Sequence, residues 1–147
     1  MDETKIFSAR KSENFVVYSD PKFLYQIGKI CAESGKYKEE GILCLDDYIS
    51  WISFFNPTEE QQKGKVFDMK TKAIYFIGVL FYKMNEFEEA EEYLNQVRMD
   101  LLEIKETDKY QKCQEMLGDM FQAKFDIFSD NLIHGYFYPE YETKKPF

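Results

Sequence analysis

The chain is predicted to be all-α, a short stack of antiparallel helical hairpins with about five main helices. Three observations predict it. Apolar residues recur at steps of three and four through most of the sequence. An apolar residue followed by glycine appears three times within such stripes, as Ile27-Gly28, Ile77-Gly78 and Leu117-Gly118. Turn residues divide the stripes into lengths suited to single helices. A glycine inside a helix is disfavoured by about 1 kcal/mol relative to alanine, so each is expected to mark a close helix–helix approach.

The first helix starts at Asp20-Pro21, an aspartate able to cap free amides ahead of a proline suited to the first helical position. Its stripe is Phe23, Leu24, Ile27, Ile30 and Cys31, and Ser34-Gly35 ends it. A second helix begins near Lys36, carries Tyr37, Gly41, Leu45, Tyr48, Ile49 and Ile52 near one face, and stops before Asn56-Pro57. The polar stretch Asn56 to Lys65 is expected to be a connecting loop or a poorly anchored helical start.

The strongest stripe follows, from Val66 through Ala73, Ile74, Ile77, Leu80 and Phe81 to Met84. Asn85 with Glu88 reads as a restart resembling a capping box. The next helix carries Phe87, Ala90, Leu94, Val97, Leu101 and Ile104, with five glutamates between Glu86 and Glu92 at its positive end. Thr107-Asp108 offers a further cap, and Tyr110, Cys113, Leu117, Phe121, Phe125 and Phe128 form a fifth stripe ending before Gly135. This divides the chain into an N-terminal arm (1–19), a helical domain (20–135) and an aromatic tail (136–147) expected to fold back on the helices.

Composition bounds the function. With 147 residues, 44% hydrophobic and 18% aromatic, the chain can build a core, and it has no apolar run long enough for a transmembrane span. The start Met1-Asp2-Glu3-Thr4-Lys5 lacks a secretory pattern, so a cytoplasmic location is expected. Cys31, Cys44 and Cys113 are odd in number and widely spaced, which favours free, packed thiols over disulfides or zinc. A formal charge of −8 disfavours nucleic acid and anionic membranes as partners and suits a basic or amphipathic protein segment.

No catalytic residue, metal site or cofactor is indicated. His134 is the lone histidine and stands outside any Glu-x-x-His pattern, and neither a phosphate-cradling glycine loop nor a nucleophile elbow occurs. Trp51, Phe54 and Phe55 are a candidate docking patch or dimer face, with cover by the tail the favoured expectation.

The segment Ile74-x2-Ile77-Gly78-x2-Phe81 followed by Ala90-x3-Leu94 resembles the tetratricopeptide repeat. Leu24, Ile27, Gly28 and Cys31 resemble it more weakly, Gly41 taking the small position after a one-residue insertion, and Leu117, Gly118 and Phe121 form half a copy. The glycine spacings are 50 and 40 residues against about 34 in the standard repeat. Within the family the chain is similar to the mitochondrial fission adaptor and to class II secretion chaperones. It departs from the former in ending Thr143-Lys144-Lys145-Pro146-Phe147 where a membrane anchor would stand.

The resemblance implies a non-enzymatic adaptor or chaperone that holds a peptide or helix in a groove lined by the first helices of the hairpins. In this chain that face would carry Lys22, Tyr25 and Lys29, then Lys72, Tyr75, Val79 and Tyr82, then Lys112 with Glu115 and Asp119. Lysine recurs six residues before each glycine, a row that would hold an acidic peptide or a terminal carboxylate, with tyrosine adding apolar area and a polar tip. The alternative is a self-assembling helical regulatory protein that dimerises through its aromatic patches.

Overall fold

The computed structural model describes residues 20–132, and the arm, His134 and the aromatic tail lie outside the described residues. Five helices follow in order: α1 (Pro21–Ser34), α2 (Lys38–Ser53), α3 (Glu60–Lys83), α4 (Phe87–Glu103) and α5 (Thr107–Asn131). No strand occurs among the described residues. The chain divides into two units after Cys113, a point inside α5.

In the first unit α1 pairs with α2, α3 packs against both, and α4 pairs with α3. This is the stacking of hairpins that the stripes predict. Glycines sit at three of the crossings. A Cβ on Gly28 would overlap the side chain of Leu45, and one on Gly78 would lie 2.7 Å from Leu94 Cδ2. Gly41, weakly placed by the repeat pattern, is equally tight, 2.7 Å from Cys31 Cβ and 3.1 Å from Leu80 Cδ1. Leu45, Leu80 and Leu94 are fully buried, so each glycine admits a core leucine or cysteine from the neighbouring helix.

Gly118 departs from expectation. A Cβ built there meets nothing within 4 Å, so the third apolar-glycine pair marks no helix crossing. The fifth stripe is corrected with it. Cys113 is buried, Tyr110 and Leu117 are half-buried, and Phe121, Phe125 and Phe128 are exposed, while Met120 is buried in their place.

The connections explain the helix ends. Asp20 caps α1 as predicted, its carboxylate accepting from Lys22 N–H at 2.9 Å. Gly35 closes α1 in the left-handed conformation (φ 73°), and the Lys83 ammonium donates to the Ala32 carbonyl in its last turn. Asn85 does not initiate α4 through a capping box. It stands at φ 62° and ends α3, its N–H donating to Tyr82 O and that of Glu86 to Phe81 O. The same paired bonds recur at the end of α4, from Lys105 to Leu102 and from Glu106 to Leu101, with Lys105 at φ 65°. Both are the glycine-type helix stop executed without glycine, asparagine tolerating that backbone better than lysine does. Of the two readings offered for Asn56 to Lys65, the helical start with little anchoring is the one found from residue 60 on, all of it exposed to residue 65. Helix α3 starts at Glu60, six residues before its first large apolar residue, because Glu60-Gln61-Gln62-Lys63 is a run of good helix formers that needs no buried face.

Candidate functional site: the first-helix face and the aromatic corner

The eight residues predicted to line a groove do not form one open surface. Tyr25, Tyr75 and Val79 are buried, and Tyr82 is half-buried with its ring stacked on Phe87 at 5.8 Å. Tyr25 lies where α1, α2 and α3 meet, 5.3 Å from the Tyr48 ring and 6.1 Å from that of Phe76. Burial pushes its hydroxyl pKa well above the ordinary phenol value, and nearby Tyr48, Asp68, Glu106 and Glu33 push the same way, so the phenol stays neutral.

Lys72 is not an open anchor for an acidic peptide. Its ammonium is 3.2 Å from Asp68 one turn earlier in α3 and 3.5 Å from Glu106 in the α4–α5 turn. Lys109 completes the cluster, 3.0 Å from Glu106 and 5.7 Å above the Phe76 ring. The hydrogen bond from Lys109 holds the Glu106 carboxyl below the usual range, aided by the Lys109 and Lys72 charges and opposed by burial. The cluster ties the α4–α5 turn to α3. Lys22 and Lys112 are exposed and Lys29 is half-buried. The lysine row therefore splits by environment: its middle member is structural, and the outer two are solvated.

Within the first unit, exposed aromatic residues stand together at the corner joining α2 to α3. Phe54, in the loop, is 86% exposed, and Phe55 beside it is 49% exposed. Phe55 is braced edge-on by Trp51 at 4.7 Å, and Trp51 in turn leans on Tyr48 at 5.9 Å. This chain of rings ties the corner to the buried Tyr25 and fixes its orientation. Beside it an open cleft of about 530 Å3 is lined by Phe55, Asn56, Pro57, Glu59, Gln62 and Val66. Three apolar and three polar walls suit an amphipathic segment. The expectation that the tail covers this corner falls on residues outside the described ones. The sequence carried the signal, three large aromatics ahead of Asn56-Pro57, but apolar periodicity alone assigns such residues to a core.

Cys31, Cys44 and Cys113 are buried and form no disulfide, as predicted. The Cys113 thiol donates to the Leu94 carbonyl at 3.5 Å, and burial pushes its pKa up to about 11 against a lowering by Arg98. Among the described residues no group of three His, Cys, Asp or Glu side chains is placed to hold a metal ion. Among them, too, no helix is long and apolar enough to cross a membrane. No known protein family, characterised protein or solved structure gives a match to this chain.

Proposed function

We propose that the chain is a non-enzymatic protein-interaction module, an adaptor or chaperone built on tetratricopeptide-like hairpins, whose partner contacts the aromatic corner between α2 and α3. The observation that carries this reading is the exposure of Phe54 at 86% beside a formed cleft. A large aromatic residue exposed next to a formed cleft is the anchor that protein interfaces favour. The paired hairpins with glycine crossings supply the rigid frame such a module needs. The corner replaces the first-helix groove as the contact surface because Tyr25, Tyr75 and Val79 are consumed by the core.

The test is affinity capture from the native cell with wild type and with Phe54→Ser plus Phe55→Ser, partners being identified by mass spectrometry. Partners retained by wild type and lost by the variant are expected. An identical partner set would end the proposal for this corner. A second reading rests on the same exposure: the corner pairs two copies of the chain. Sedimentation equilibrium separates them, since a dimer that the double substitution dissociates would favour self-assembly.

A further inference from the structure

Phe54 and Phe55 leave α2 together and meet different fates. Two hydrogen bonds, from Phe54 N–H to Trp51 O and from Phe55 N–H to Ile52 O, both 3.2 Å, carry the chain through one further tight turn beyond Ser53. Tyr48, Trp51 and Phe55 are thereby spaced by three and four, the register in which helical side chains line up along one face. Their rings follow it. Tyr48 stands 5.9 Å from Trp51 with planes 41° apart, and Trp51 stands 4.7 Å from Phe55 at 85°, edge to face. Phe54 falls one residue out of this register and pairs with no ring among the described residues.

The brace is itself rooted. Tyr48 and Ile52, which flank Trp51 on α2, are buried, so the turn that carries the indole is fixed in the core, and the indole is half-buried. Phe55 spends one edge of its ring on Trp51, and its open remainder forms a wall of the cleft with Pro57 and Val66. A phenylalanine just past a helix end would otherwise sample several rotamers, and ordering it on binding would weaken affinity.

We infer that Trp51 is a positioning residue of this corner: it acts on a partner through Phe55, holding that ring edge-on so that the cleft wall stands before anything binds. The inference rests on the reading of the corner as a contact surface and divides its labour. Phe54 is the free anchor and Phe55 the fixed wall. Trp51 is the support whose loss dismantles the wall while both phenylalanines stay in place.

Trp51 is the only tryptophan in the chain, so its own emission reads the contact. Acrylamide quenching of that emission is compared in the full chain for wild type, Phe54→Ser and Phe55→Ser. Phe55→Ser uncovers the indole edge and should raise the quenching constant and shift the emission to the red, whereas Phe54→Ser should change neither. Equal quenching in all three would overturn the brace. Binding is read by affinity capture from the native cell with Trp51→Ala and Trp51→Phe, at a temperature where circular dichroism and urea midpoints show both variants folded. Trp51→Ala should lose the partners that Phe54→Ser plus Phe55→Ser loses, with recovery lower by about 5-fold, the scale of one aromatic pair, and Trp51→Phe, which keeps a ring at the brace, should restore most of it. Retention of those partners by Trp51→Ala would overturn the positioning role and leave the corner standing. A loss in Trp51→Phe as large as in Trp51→Ala would mean that the indole touches the partner itself, and would overturn it too. If the double substitution loses no partner, the corner fails as a contact surface and the inference falls with it.

Discussion

Replacing Gly78 by alanine should destabilise the protein, although alanine is the better helix former. Gly78 is buried in the middle of α3 at a helical backbone angle, so a methyl group there needs room rather than a new conformation. Its Cβ would lie 2.7 Å from Leu94 Cδ2, 2.8 Å from Leu94 Cγ and 3.4 Å from Tyr93 Cβ. Because the branch carbon is involved as well as a methyl, rotating the leucine tip does not clear the contact. The whole Leu94 side chain must retreat by about half an ångström or more, and it is fully buried with no space behind it. Overpacking costs about 1–3 kcal/mol, and two buried carbons closer than 3 Å put this case at about 2–3; with up to about 1 kcal/mol returned by the helix preference of alanine over glycine, a net loss of about 1–2 kcal/mol remains. In urea, followed by circular dichroism, the midpoint should fall by roughly 0.5–1 M for a slope of about 2 kcal/mol/M. Gly118→Ala is the internal control: nothing stands within 4 Å of the added carbon, so it should gain about 0.5–1 kcal/mol. A Gly78→Ala protein as stable as wild type, or a Gly118→Ala protein less stable than Gly78→Ala, would refute the assignment of close crossing to the former and open surface to the latter.

Lys105, held at φ 65°, should be replaced by glycine with a gain of up to about 1 kcal/mol, read as a rise in the urea midpoint. Asp20→Ala removes the acceptor for Lys22 N–H and should cost about 1 kcal/mol, visible as earlier loss of ellipticity on heating. Glu106 has a folded pKa below its unfolded value, so its contribution is present above about pH 4.5 and is lost as pH falls through the folded value. Glu106→Gln should therefore cost up to about 1 kcal/mol at pH 7 and progressively less as pH falls through the folded value, flattening the acid limb of a stability–pH curve. The three buried thiols should resist Ellman's reagent at pH 8 in the native protein and react together on unfolding, with Cys113 protected further by a pKa pushed up to about 11.

The first four helices were legible because their stripes are dense and their stops are chemically distinct. Asp20-Pro21 and Gly35 act as their residue types predict, one capping amides and the other taking a left-handed backbone. Asn85 was harder, since asparagine serves equally as a helix start and as a left-handed stop, and only the hydrogen bonds from Glu86 to Phe81 and from Asn85 to Tyr82 decide between them. The α5 stripe misled for a different reason. Periodicity shows that a helix has an apolar side, not that a neighbour exists to cover it, and Phe121, Phe125 and Phe128 have the spacing of a core without the burial. The candidate surfaces were the least legible part. Exposure of Phe54 depends on where α2 stops and α3 begins, and that boundary lies in a polar stretch with no periodic signal.

Two expectations from the sequence pulled against each other, and the packing of Lys72 separates them. A net charge of −8 favours a basic partner, whereas a row of lysines beside tyrosines favours an acidic one. With Lys72 paired to Asp68 and Glu106, and Lys109 paired to Glu106 over Phe76, the cations nearest the tyrosines are neutralised within the fold. The tyrosine expected to support the row, Tyr25, is buried among rings, and the carboxylates of Asp68, Glu106 and Glu33 act on its hydroxyl. An acidic peptide laid along α1 and α3 would meet those carboxylates before it reached an unpaired lysine ladder. Recognition of acidic segments thus loses its central anchor, while the overall charge of −8 favours a cationic partner.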